Sequence, residues 1–313
     1  MCIRDSTSGQ ENAWTSATRT PGTVPAASVC HPPRIVTAST VPEHGMGFEL
    51  RGESTDLRTY FADIWHHRGL IRVLSRKDFL VRYRRASFGL VWAVALPALQ
   101  AAVMAIVLPH FVRFQTPGSY IAYVYGGTTA FSFFANSLSA GAGSIIEGHG
   151  VSTKVYFPRI VLPLVTVLAN MYGTVASVVV LALVAAVTGH FGAHILVLVP
   201  ATVLLTVLSA AAASLVGALQ VYFRDVRYIV TAALLVWTYL TPVIYPLSAV
   251  GSLAKWIEIN PMTGVVQLFR LGSVGVDSSW LGPLGWTAGW TLLLVVVSIA
   301  VHRRYDRVFV DLL

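Results

Sequence analysis

Lys77, Lys154 and Lys255 are the only lysines in the chain, and they follow Arg, Thr and Ala. A phosphate-cradling P-loop needs Gly-Lys followed by Ser or Thr, so that backbone N–H groups wrap the phosphates while the lysine reaches them. No residue set here can hydrolyse ATP by that route. Neither Gly-x-Ser-x-Gly nor His-Glu-x-x-His occurs, which removes a nucleophile elbow and a helical zinc pair. His66-His67 is a weak metal candidate, since a closed site takes three or four ligands. What remains are clusters of charge: Arg76 to Arg85, Lys154 to Arg159, and Arg224-Asp225. Their chemistry is attraction and docking, not bond making.

The elements that must position these clusters are apolar. The chain is 55 % hydrophobic and only 12 % charged, with a mean hydropathy of +0.67, far from soluble averages. Six apolar stretches run over residues 88–112, 120–146, 160–188, 195–223, 228–250 and 280–301, and none contains Asp, Glu, Lys or Arg. Each is long enough to cross a bilayer of about 30 Å, which predicts an all-α integral membrane protein with six transmembrane helices. Lys and Arg then divide fourteen to three between alternate sides. Positive residues stay inside, so both termini are expected in the cytoplasm. The formal charge of +8 is thus accounted for by topology, and nucleic acid is not an expected partner. Cys2 and Cys30 both precede the first apolar run, so no disulfide framework is expected there.

Residues 1–52 are rich in Ser, Thr, Pro, Gly and Ala, a composition that cannot offset ordering entropy by burial. Disorder is expected, and the opening Met1–Ser6 looks like a translated adapter, which would make Met46 the true start. Leu57, Tyr60, Phe61, Ile64 and Trp65 recur at the i, i+3, i+4 spacing of an amphipathic helix. The basic residues that follow fit a segment, 53–87, lying among anionic headgroups or serving only as an orientation signal. Residues 155–164 join two apolar runs and are too polar for hydrocarbon, so they should lie against one membrane face. Between 251 and 279 the composition is too apolar for a solvated loop, and short helices dipping into the outer leaflet are expected. Ser209, Ala213 and Gly217 repeat at the small-residue spacing that lets helices approach closely. Pro97, Pro163, Pro200 and Pro242 fall in or at the ends of the apolar stretches.

No stretch carries a carboxylate of the kind an ion-coupled carrier uses, so any transport must draw its energy from another chain. Arg224 and Asp225 could form a hinge or ion pair, or merely a topology signal and a capping carboxylate. Trp92, Phe131, Phe133, Phe134, Trp237, Tyr239 and Tyr245 could line a pathway, because aromatic faces let sugars slide without fixed hydrogen bonds. Ordinary packing or an aromatic belt would use the same residues.

Seven pieces occur in order: Arg76-Lys77-Asp78-Phe79-Leu80-Val81-Arg82-Tyr83-Arg84-Arg85; Phe88-Gly89-Leu90-Val91-Trp92 with Pro97; Phe133-Phe134-Ala135-Asn136-Ser137-Leu138; Lys154-Val155-Tyr156-Phe157-Pro158-Arg159 with Leu162-Pro163-Leu164; Tyr222-Phe223-Arg224-Asp225-Val226; Thr241-Pro242-Val243-Ile244-Tyr245; and Asn260-Pro261-Met262. From Leu57 onward the chain resembles the ABC-2 type permeases that export polysaccharides and polyol phosphates, the O-antigen, capsule and teichoic-acid group. The resemblance implies a homodimer of six-helix permeases in the bacterial cytoplasmic membrane, residues 88–313 forming the transmembrane domain. Two copies of a separate ATPase subunit would carry the ATP and magnesium, with no cofactor or metal in this chain, and the cargo would be a lipid-linked glycan or polyol phosphate. It also implies that Glu147, Ser152, Lys154, Tyr156, Phe157, Pro158 and Arg159 meet the ATPase, joined by Arg224 and Asp225. Arg76, Lys77, Asp78, Arg82, Tyr83, Arg84 and Arg85 would belong to an interface helix against membrane lipid. Phe131 stands where the family usually has Trp, and Ser152 and Thr153 replace apolar residues before the lysine, which could alter the pathway and the matching ATPase. The alternatives are an ABC-2 permease for a small amphiphile and a membrane-embedded glycosyl- or phosphotransferase. The latter would need paired acids at the membrane face, yet Asp78, Glu147, Asp225, Asp306 and Asp311 are scattered.

Overall fold

The computed structural model describes residues 57–84, 91–111, 118–152, 157–275 and 280–305. The segment 1–52, Arg85, Lys154 and Tyr156 lie outside them. Every regular element among the described residues is helical. The predicted amphipathic stretch is α1 (Leu57–His66), followed at once by the basic α2 (Arg68–Tyr83). Ile71 of α2 packs with Phe157, Val161, Leu162 and Val165, which holds α2 along the start of α6 (Val161–Val187).

Four helical segments are long and apolar enough to cross a membrane: Val91–His110, Val161–Val187, Ala193–Tyr222 and Leu281–Tyr305. The first belongs to α3 (Val91–Phe111), the third joins a short 3-10 turn to α7 (Leu198–Tyr222), and the last is α11. The other two expected spans differ in kind. α4 (Tyr120–Glu147) has 28 residues and reaches about 42 Å, but Gly126, Gly127, Thr128, Thr129, Ser132, Asn136 and Ser137 make it too polar for a lipid-facing span. It is instead the hub, buried along most of its length against α3, α6, α7 and α10. A polar helix is tolerated there because neighbouring helices, not lipid, meet its surface.

The expected fifth span, 228–250, is not one helix. α8 (Val226–Leu240) has 15 residues, about 22 Å, short of the bilayer core. Pro242 ends it: proline has no N–H to continue the ladder and bars its predecessor from the α region. Thr241 accordingly turns extended, at φ −94° and ψ 133°. Pro163 and Pro200 fall in the first turns of α6 and α7, where no ladder bond is lost, whereas Pro97 lies inside α3.

The short helices expected after residue 250 are a 3-10 turn (Leu247–Leu253), α9 (Ala254–Glu258) and α10 (Pro261–Val274). α10 belongs to the core, for Met262, Val265, Val266 and Phe269 are fully buried among α4, α7 and α11 (Leu281–Tyr305). α4 and α7 touch through small residues, as the Ser209, Ala213, Gly217 spacing suggested. A Cβ at Gly141 would stand 2.5 Å from the Ala213 Cβ, and one at Gly217 would be 2.8 Å from the Gly141 carbonyl oxygen. Gly141→Leu should therefore destabilise the protein by about 1–3 kcal/mol, the usual cost of overpacking. Thermal unfolding in detergent measures it, and an unchanged melting temperature would contradict the α4–α7 approach.

Candidate functional site

Two polar rows face one another across a cavity of about 360 Å³ between α2, α3, α4 and α6. Thr129, Ser132, Phe133 and Asn136 of α4 line one side, and Asn170, Thr174 and Ser177 of α6 the other. Their three- and four-residue spacing stacks each row on a single helix face. Trp92 of α3, with Phe131 and Phe133, adds aromatic surface, and Phe79, Arg82 and Tyr83 of α2 complete the lining. Arg82 donates to Asn170 Oδ1 at 2.7 Å and to Asp78 at 2.7 Å. Asn170 Nδ2 in turn donates to Ser137 Oγ at 3.3 Å. A chain of polar groups thus runs from the basic helix to the hub. The lining offers amides, hydroxyls, aromatic faces and one guanidinium, the set that holds a polyhydroxylated or phosphorylated molecule without reacting with it. No group of three or more His, Cys, Asp or Glu gathers among the described residues to hold a metal.

The turn between α7 and α8 is the second feature. Gln220 closes it from both sides, donating through Nε2 to the Arg224 carbonyl at 3.0 Å and accepting the Arg227 backbone N–H at 2.7 Å. Asp225 stands at the N-cap position without a side-chain capping bond. The ion pair here is made by Arg227, whose guanidinium reaches Glu147 at the end of α4, and Arg224 and Asp225 are exposed.

The break after α8 is the third. Asn260 caps α10 by accepting the Met262 N–H at 3.0 Å, and accepts the Trp237 indole N–H at 3.0 Å. Its Nδ2 donates to the Leu240 carbonyl at 3.3 Å and to Thr241 Oγ1 at 3.0 Å. Arg270, 2 % exposed, donates to the carbonyls of Pro242, Val243 and Tyr245 and lies 3.8 Å over the Tyr123 ring. It has no carboxylate partner among the described residues. Burying a guanidinium in this way is costly, and the three carbonyls and the ring face are what the fold offers in return.

The predicted residues therefore separate. Trp92, Phe131 and Phe133 line the cavity. Phe134 is packed edge-on to Trp237 at 5.3 Å, Tyr239 is exposed, and Tyr245 donates to the Tyr239 carbonyl. Arg76, Lys77 and Arg84 are exposed on or beside α2, and the Tyr83 ring packs at a tilt against Phe79, 5.0 Å between centroids. Phe157, Pro158 and Arg159 are buried, with Phe157 beneath α2. Ser152 ends the four-residue α5 (His149–Ser152). Gln220, Arg227, Asn170 and the burial of Arg270 were missed. Arg270 is one of the three basic residues counted on the outer side, and sequence spacing does not show that α10 turns inward. The motifs containing Thr241-Pro242 and Asn260-Pro261 did carry a signal, a helix stop and a helix start.

Residues 69–272, about two thirds of the chain, match the family model described as ABC-2 type transporter. The chain is 27 % identical over 212 residues to the O-antigen export system permease protein RfbA of Myxococcus xanthus, covering 66 % of this chain and 81 % of that protein. Two proteins of the same name from Klebsiella pneumoniae are each 25 % identical, over 78 % of this chain and 95 % of theirs.

Asn260→Ala should cost about 2–4 kcal/mol, because the cap and the partners of Trp237 and Leu240 are lost together. Asn260→Asp keeps the acceptors and should lose less. Chemical denaturation in detergent orders the three proteins, and equal stabilities would contradict this account of the break.

Proposed function

The chain belongs to the ABC-2 type transporter family, and on that premise we propose that it is the membrane permease subunit of an ATP-driven exporter of lipid-linked polysaccharide. It is a multi-pass inner-membrane protein by family and by its apolar helices. The observation that carries the substrate reading is the cavity in which amide and hydroxyl rows face one another beside aromatic rings. Sugars and sugar phosphates match that lining, whereas a purely apolar cargo would leave its polar groups unpaired. The names of the relatives point the same way.

In this reading α3, α4, α6, α7, α8 and α11 make six crossings. The stretch of residues 241–245, tied down by α10, completes the one that α8 leaves short. Both termini, α1 and α2 face the cytoplasm, with α2 at the lipid interface. Residues 88–313 form the transport domain and two copies pair in the membrane. Each copy carries one ATPase subunit, which holds the ATP and magnesium. The docking contact falls on α5 and the residues just after it, while Phe157, Pro158 and Arg159 anchor that loop to α2 from beneath. Polyol phosphates fit the same lining, Arg82 being the cation nearest their phosphate.

Asn136→Leu and Thr174→Leu replace polar lining by apolar bulk in the cavity. In host cells lacking the native gene, each should lower surface polysaccharide about ten-fold, the loss of one or two hydrogen bonds at ~1.4 kcal/mol. The ATPase should still co-purify at the wild-type ratio. Full export from normally expressed variants would contradict the assignment of the cavity.

A further inference from the structure

Glu147 is the last residue of α4 and Arg227 the second of α8, so their ion pair joins two helix ends that are 80 residues apart in sequence. The place is prepared for it. Gly143 lies one turn before Glu147, and a Cβ there would collide with Arg227 Nη2 and stand 2.7 Å from Glu147 Oε1. The guanidinium therefore rests on bare α4 backbone. Gln220 holds the Arg227 backbone from the other side, at 2.7 Å, which makes the end of α7, the turn and the start of α8 one unit. Ten residues on, about 15 Å along α8, Trp237 stands edge-on to Phe134 of α4 at 5.3 Å. That same indole donates to Asn260 at the break. α8 is thus fixed to α4 at both of its ends, by charge at one and by aromatic packing at the other.

α4 runs directly into α5, so a force applied at α5 reaches Glu147 first. Both side chains of the pair are more than half exposed, 52 % for Arg227 and 67 % for Glu147. An ion pair so exposed adds little to folding stability, and its value must be sought elsewhere. We infer that Glu147 and Arg227 form a strut that makes α8 follow the inner loop, carrying motion from the ATPase contact to the outer break at Asn260. The inference rests on the reading of α5 as the ATPase contact. Glu147 and Arg227 act here as positioning residues, and neither lines the cavity.

The test uses the full permease with its ATPase. Glu147→Arg, Arg227→Glu, the double swap and Gly143→Ala are each expressed in host cells lacking the native gene. The host's own polysaccharide is measured at the cell surface and ATP turnover in the purified complex. Each single reversal should keep ATP turnover but lower polysaccharide exported per ATP several-fold, and the swap should restore that ratio, whereas a purely stabilising role would leave it unmoved throughout. Gly143→Ala, with no change of charge, should lower the same ratio. Single reversals that export at the wild-type ratio would overturn the strut, as would a swap no better than its parents. Wild-type chain that assembles with no ATPase would overturn the functional reading itself, and the strut with it.

Discussion

In a bilayer core no water reaches a backbone carbonyl outside a helix. Where α8 stops at Leu240, the Trp237 and Tyr239 carbonyls are met locally, by the Thr241 N–H and the Tyr245 hydroxyl, while those of Leu240, Pro242, Val243 and Tyr245 are left to other partners. The solution comes from α10. Asn260 takes the Leu240 carbonyl, and Arg270 takes those of Pro242, Val243 and Tyr245. For those bonds to form, α10 must lie inside the bundle and the broken segment must press on the hub. Gly126 and Gly127 of α4 permit this. A Cβ on Gly127 would be 2.8 Å from the Val243 carbonyl oxygen, and one on Gly126 would be 3.4 Å from that of Phe269. The polar, glycine-rich character of α4 and the inward course of α10 are two sides of one requirement.

The same hub sets the transport side. Toward α10 and α7 it presents glycine and alanine, and toward α2, α3 and α6 it presents Thr129, Ser132 and Asn136. One helix therefore carries close packing on one face and a hydrogen-bonding surface on another. α2 reaches that surface through Arg82 and Asn170, which links the basic helix to the cavity. The buried Phe157 and Val161 link the same helix to the segment that leads into α6. The cavity, α2 and the residues leading into α6 thus share one packed unit.

Much of this was legible in the sequence and some was not. The spacing of Leu57, Tyr60, Phe61, Ile64 and Trp65 foretold α1, the small residues foretold a close helix approach without its partner, and the family was visible in motifs that the ABC-2 type match spans. Trp92, Phe131 and Phe133, named from their aromatic character alone, line one cavity together with polar groups of α4 and α6. The stretch 228–250 is not one continuous helix because apolar composition continues through Pro242 while the helix stops at Leu240. A hydropathy reading counts side chains, whereas a proline acts on the backbone. The burial of Arg270, counted only among the outer-side charges, was not legible because it depends on partners supplied by a segment 25 to 28 residues away. Arg227 was overlooked beside Arg224 and Asp225 because helical phase decides which of three neighbouring charges points at α4.

If a separate ATPase seated on α5 drives this permease, the contact should be visible by cross-linking mass spectrometry on the complex purified in mild detergent from its native host. One P-loop ATPase per permease chain is expected, with cross-links concentrated on residues 146–156. A stable permease with no ATPase, or an ATPase cross-linked only to the chain termini, would contradict it.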